Sequence, residues 1–246
     1  MILIAMNRYF LLIIALFVLA DVFPQDKNLA LAPTDKLAIE WWKDRHDEKI
    51  KAPQINPQLV LLGNSILHTL DYSDRNGVWK EYLHKYRTLN LGFSGDRTEN
   101  VIWRIENGEL DLIDPKVVLL LIGTNNTDGN HFLSVTQPDE LQSAIWKITR
   151  IIRKKLPETK MLLVGILPYG YKANYRDHIN KETNVFLSEF PAKDKNIFYK
   201  DIGKIFLDDT GKIDKKLMPD YLHPNAKGHL FMFKTLDPII EELMLN

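Results

Sequence analysis

Three short blocks carry residue types that suit acyl chemistry. Leu62-Gly63-Asn64-Ser65-Ile66 offers a hydroxyl, Ile122-Gly123-Thr124-Asn125-Asn126 a side-chain amide beyond a glycine, and Asp220-Tyr221-Leu222-His223 a carboxylate close to an imidazole. A neutral imidazole takes a proton from serine when a carboxylate fixes its other nitrogen. An amide N–H stabilises the negative oxygen that forms when the serine attacks a carbonyl. Together the parts suit a serine esterase working through an acyl-enzyme.

Alone, each block is weak. Gly-x-Ser after a strand is usually a turn and a cap, and Leu67 stands where the Gly-x-Ser-x-Gly elbow needs its second glycine. A lone Asp-x-x-His is more often a surface pair. Gly92 in Asn90-Leu91-Gly92-Phe93-Ser94-Gly95-Asp96 could bring a backbone N–H close to a ligand, or be an ordinary loop glycine. Asn125-Asn126-Thr127 matches a glycosylation sequon, which a site at Asn125 would rule out.

The elements that must position these residues follow from hydrophobic patterning. Segments at Leu59 to Leu62, Thr88 to Leu91, Val117 to Ile122 and Met161 to Leu167, and a shorter, more polar one at Ile197 to Ile202, predict five strands. Val117 to Ile122 does not alternate, as expected of a central parallel strand covered on both faces. Helical periodicity marks residues 35–50, the stretch after Asp96, and 138–156, 176–190 and 225–244, with Asp96 expected as an N-cap. Strands alternating with helices imply an α/β fold, and sites in such sheets form at the carboxyl ends of strands.

Composition sets the address and excludes some classes. The 32 basic and 32 acidic residues balance, which argues against an electrostatic nucleic-acid binder. Arg8 precedes an apolar run from Tyr9 to Ala20, and polarity rises at Asp21. Residues 1–20 therefore read as a signal peptide, 21–34 as a tether and 35–246 as the working domain. The apolar run is short for a spanning helix, so an exported protein, periplasmic or secreted, is expected, without stable membrane insertion. An uncleaved N-terminal anchor is the alternative. The chain has no cysteine, which excludes disulfides and a lipoprotein anchor.

With the blocks in order, the chain resembles the SGNH (GDSL-like) hydrolase family from about Leu59 to its C-terminus. The stretch Asn90 to Asn126 is similar to the catalytic subunits of platelet-activating-factor acetylhydrolase Ib, including Asp96, Trp103-Arg104, Asn107-Gly108-Glu109-Leu110 and Gly123-Thr124-Asn125-Asn126. The resemblance implies a three-layer α/β/α sandwich with about five parallel strands. It implies Ser65 as nucleophile, His223 as base and Asp220 as its partner. It further implies an oxyanion hole from the backbone N–H groups of Ser65 and Gly92 and the side chain of Asn125. No zinc signature such as His-Glu-x-x-His is present, and neither a metal nor a cofactor is expected. Asn64 stands where the family usually has Asp, a change expected to tune the site.

The expected substrate is a short-chain acyl ester, acetyl first, carried on a carbohydrate because an exported enzyme meets glycans. Phospholipid or lysophospholipid esters come second and acyl transfer to a sugar third. A glycan-binding protein without turnover is the rival from another class. Dimer-forming relatives leave a homodimer open. Tyr169, Tyr171 and Tyr175, and the loop from Thr127 to Gln137, are read as flanking the site, the tyrosines either stacking on sugar or packing their own loop. Asp128 and His131 share that loop and are read as solvated rather than metal-binding. Trp41, Trp42 and His46 are read as helix packing.

Overall fold

The computed structural model describes residues 28–51 and 56–245. The segment read as a signal peptide, and the first part of the tether, lie outside the described residues. Strands β1 (Leu59–Gly63), β2 (Leu89–Gly92), β3 (Val117–Leu121), β4 (Lys160–Val164) and β5 (Ile197–Lys200) form one sheet of order β2-β1-β3-β4-β5. All pairs are parallel. Six helices matter to the argument: α1 (Glu40–Lys49), α2 (Ser65–His68), α3 (Thr98–Glu106), α4 (Pro138–Lys155), α5 (Tyr175–Leu187) and α6 (Ala226–Leu245).

β1 and β3 at the centre of the sheet are buried along their whole length, which is why they read as unbroken apolar runs, whereas the edge strand β5 passes from buried Ile197 to exposed Lys200. Successive strand residues point to opposite faces. Leu59 and Leu61 of β1 pack with Met232, Phe233, Leu236 and Ile240 of α6. Val60 and Leu62 pack with Val101, Ile102 and Ile105 of α3 and with Ile145 and Ile148 of α4. A three-layer α/β/α sandwich results.

Element ends differ from the sequence reading where side chains replace backbone partners. β4 stops at Val164 rather than Leu167 because the Asn184 side chain takes over, accepting from Ile166 N–H at 2.8 Å and donating to its carbonyl at 2.9 Å. α1 starts at Glu40 rather than 35, and its two tryptophans pack unequally: Trp42 is buried, while Trp41 is 45% exposed and stacks on His68 with ring centres 5.7 Å apart. His46 is buried against Glu109, as its structural reading expects.

The N-cap of α3 is Arg97, whose N–H is taken by the Asn100 side chain at 3.0 Å. Asp96 instead lies fully buried, accepting from Trp42 Nε1 and Arg104 Nε at 2.8 Å each. Burial pushes its carboxyl up, against the pull of Arg104 and Lys36. Arg104 also pairs with Glu109 and donates to the carbonyls of Gly63 and Leu91 at 3.3 and 3.2 Å. A buried guanidinium thus ties together the last residues of β1 and β2, where the site begins.

Residues 28–34 are not a loose tether. Ala30 is buried, Asn28 donates to the Glu140 carbonyl at 3.0 Å, and Thr98 Oγ1 donates to the Ala30 carbonyl at 3.0 Å. The folded unit therefore includes part of the segment read as linker.

Candidate active site

Four chain segments meet at the carboxyl ends of β1, β2 and β3, on either side of the point where the strand order reverses. Ser65 opens α2 directly after β1. Asn64 caps that helix, its side-chain oxygen accepting from Ile66 N–H at 3.0 Å. An asparagine oxygen serves that cap as an aspartate would, so the departure at Asn64 keeps the local geometry while removing a charge.

The Asp220–His223 turn enters from the other end of the chain, just before α6. Ser65 Oγ lies 2.9 Å from His223 Nε2, and His223 Nδ1 lies 2.6 Å from Asp220 Oδ2. Asp220 Oδ1 also accepts from the N–H groups of Leu222 and His223, at 3.0 and 2.7 Å. Tyr221 has φ 60°, a left-handed conformation rare outside glycine. Partial burial pushes the Asp220 carboxyl up, but those two N–H groups and the imidazole hold it below the ordinary carboxylate range. A carboxylate on Nδ1 fixes the tautomer with the proton there, leaving Nε2 to accept from the serine hydroxyl.

Behind the serine, His229 of α6 is buried and its Nε2–H donates to the Ile66 carbonyl at 2.8 Å. Burial pushes its pKa down from 6.5 to about 4. The unfolded chain binds this proton from about pH 6.5 downward, and the folded chain only near pH 4. Stability is thus full above pH 6.5 and falls as acid is added, by on the order of 3 kcal/mol once pH 4 is reached. We expect melting temperature to drop by roughly 5–10 °C across that window. His229→Gln should flatten part of the slope, with His68, also pushed to about 4, supplying the remainder. A variant with the wild-type slope would remove His229 as a titrating group.

Asn125 sits in a short turn, Thr124–Thr127, that follows β3. Its Nδ2 donates one hydrogen to the Asp96 carbonyl at 2.9 Å, which fixes the amide orientation and leaves the second hydrogen for the cleft. The residue is 7% exposed, so the sequon is not open to a glycan in the folded chain.

The expected backbone donor at Gly92 is not in the cleft. Its N–H is spent on the Asn90 side chain at 2.9 Å. A Cβ at Gly92 would lie 2.3 Å from the His68 nitrogen, so glycine is needed there to let β2 approach α2. Gly95 takes the place instead. It lines the cleft at the third position of the turn Phe93–Asp96, with φ +74°. That φ is the one a type II turn requires, and such a turn leaves the third residue's N–H unused by the turn itself. The turn is held by Ser94 N–H donating to His68 Nδ1 at 3.1 Å and by Lys36 Nζ donating to the Gly95 carbonyl at 2.7 Å. The Ser-Gly pair just beyond the strand marks a turn in sequence and could have singled out this glycine.

The cleft has a volume of about 780 Å³ and contains Ser65, Gly95, Asn125, Asp220 and His223 among its walls. Tyr169 and Tyr171 line a different, smaller hollow, and Tyr175 accepts from Gly129 N–H. None of the three lines this cleft, and Tyr171 and Tyr175 are 60% and 49% exposed. Among the described residues no cluster of three or more His, Asp or Glu is arranged to hold a metal ion.

The profile of the GDSL-like lipase/acylhydrolase family matches residues 61–230, which span every residue of this cleft named above. The chain belongs to that family. It is a carboxylic ester hydrolase. Among similar proteins, platelet-activating factor acetylhydrolase IB subunit alpha2 of Rattus norvegicus is 29% identical over 223 residues, covering 89% of this chain and 93% of the relative. A GDSL-like lipase of Bacteroides thetaiotaomicron superposes with a TM-score of 0.61 at 18% identity, over 81% of this chain and 97% of that one. An acetylxylan esterase of Geobacillus stearothermophilus superposes with a TM-score of 0.58 at 13% identity, over 76% and 94%. At those identities the structural likenesses speak for the fold alone. Among the described residues no helix of this hydrolase is long and apolar enough to cross a membrane.

Proposed function

We propose that this hydrolase is an exported esterase that removes acetyl or other short acyl groups from carbohydrates through a Ser65 acyl-enzyme. The observation that carries the mechanism is the unbroken chain from Ser65 Oγ through His223 to Asp220, at 2.9 and 2.6 Å. Ser65 Oγ gives its proton to His223 Nε2 and bonds to the ester carbon. The carbonyl oxygen becomes an anion facing the N–H groups of Ser65 and Gly95 and the Asn125 amide. Collapse breaks the bond to the alcohol oxygen, which takes the proton from His223. Water then repeats the sequence, releasing the acid and restoring Ser65.

Support for an acetyl group comes from the similar protein named for acetylhydrolase activity. Carbohydrate is favoured here because the leader read in residues 1–20 would carry the enzyme to glycans. The acetylhydrolase relative supports a second reading, a phospholipid acetyl ester. A screen of p-nitrophenyl esters of rising chain length, acetylated xylo-oligosaccharides and acetyl phospholipids decides between them. Higher kcat/KM on the lipid ester than on the sugar esters would reverse the order.

The oxyanion assignment separates two neighbouring residues. Asn125→Ala should lower kcat about a hundred- to a thousandfold with KM nearly unchanged, because the anion exists only after attack. Asn126 is fully buried, accepting from Thr98 N–H at 3.0 Å and donating to Thr98 Oγ1 and Glu99 at 2.9 and 3.1 Å. Asn126→Ala should therefore cost about 1–3 kcal/mol of stability, seen in the melting temperature, with a smaller effect on kcat per folded molecule. Equal losses of kcat in both variants, or a mainly raised KM for Asn125→Ala, would remove Asn125 from the oxyanion hole.

A further inference from the structure

The Asp-x-x-His turn of the active site occurs twice. In Asp128–His131, Asp128 Oδ1 accepts from the N–H groups of Asn130 and His131 at 2.9 and 3.4 Å, and Oδ2 lies 2.8 Å from His131 Nδ1. The pattern is that of Asp220 and His223. Both imidazoles line the same cleft, but only His223 contacts Ser65.

The second pair is firmly anchored. Asp128 is buried, and Arg176, also buried, meets Asp128 Oδ2 at 3.2 Å while donating to the Thr124 carbonyl at 3.1 Å. One guanidinium thus bridges both ends of the turn that carries Asn125. The far end of the loop is fixed by Thr136 N–H on the Asn126 carbonyl at 2.8 Å and by Arg97 on the Ser134 carbonyl at 2.9 Å. The His131 side chain itself is 77% exposed. A buried, doubly engaged carboxylate therefore orients an imidazole that gains little from packing. With an Nδ1–H donated to Asp128, Nε2 is left as the acceptor and has no protein partner among the described residues. Phe132 follows in the cleft wall, its ring 5.0 Å from the Arg97 guanidinium carbon.

We propose that His131 and Phe132 form a subsite for the alcohol half of the ester and that it takes a hydroxyl-bearing ring: Nε2 accepts from a free hydroxyl, and the Phe132 ring meets the ring's C–H face. This rests on the carbohydrate reading of the same cleft. An acyl chain or a quaternary ammonium has no O–H to offer this acceptor.

The test compares kcat/KM on a partly acetylated xylo-oligosaccharide with that on p-nitrophenyl acetate, whose leaving group carries no further hydroxyl. Glutamine places an amide near the position of Nε2, and asparagine only near Nδ1. His131→Phe and His131→Asn should lower the sugar-to-nitrophenyl ratio about three- to tenfold, through KM, as expected for one hydrogen bond. His131→Gln should restore most of it. An unchanged ratio in the Phe and Asn variants overturns the subsite. So does an equal fall on both esters, which would place His131 with the chemistry or the Asn125 turn. If the unaltered enzyme cleaves p-nitrophenyl acetate but no sugar ester, the carbohydrate reading falls and the subsite with it. Sugar turnover with the same ratio in every variant overturns the subsite alone.

Discussion

Ser65→Ala is expected to leave the fold intact and to reduce ester hydrolysis to near background, a loss on the order of a millionfold in kcat by analogy with other serine hydrolases. The hydroxyl's protein partner is His223, so its removal leaves no buried group elsewhere without a bond. The helix it opens is capped by Asn64, not by Ser65, and alanine is at least as good a helix former. The variant should therefore melt near the wild-type temperature. It should also fail to react with a fluorophosphonate that labels the wild type in a single covalent step. Retention of most of the kcat would mean that another nucleophile does the work. A labelled wild type without turnover on any ester would instead favour a binding protein on this fold.

Asp220→Asn should lower kcat by up to about ten-thousandfold. The substitution is mild in shape. An asparagine oxygen can still accept from the Leu222 and His223 N–H groups, which now bond to Oδ1 at 3.0 and 2.7 Å. What changes is the second atom facing Nδ1. An amide there can donate, which drives the imidazole proton to Nε2, where it blocks acceptance from Ser65. Loss of the negative charge also removes support for the imidazolium that forms on attack. His223→Ala should be at least as damaging. If Asp220→Asn keeps its activity while His223 is essential, the enzyme works as a dyad or draws on another acid.

How much of this was legible beforehand depends on the range of the interactions involved. The central strands β1 and β3 were readable because a parallel strand covered on both faces must be apolar throughout, and that is a local property of the chain. The Asp220–His223 pair was readable for a similar reason: three residues of separation let one turn deliver both groups. Gly92 was the wrong glycine because the choice between it and Gly95 depends on whether an N–H is already bonded. The Asn90 side chain decides that, within a turn whose conformation the sequence only hints at. Asp96 looked like a cap by its type and position, but Trp42 and Arg104 claim it from separate helices.

Layer architecture, the order of the elements and the side chains available for chemistry were legible in the chain alone, because hydrophobic period, turn residues and functional-group type are written locally. Which of those groups meet depends on how the chain folds back on itself. Ser65 and His223 are 158 residues apart and come within hydrogen-bonding distance only because α2 follows one central strand and α6 packs against the same sheet. The tertiary fold also decides that Gly95 rather than Gly92 faces the cleft, that residues 28–34 hold the body of the domain, and that a second Asp–His pair opens onto the first one's cleft. Each depends on contacts between segments distant in the chain, and no period or spacing within a segment encodes which distant partner will claim a hydrogen bond.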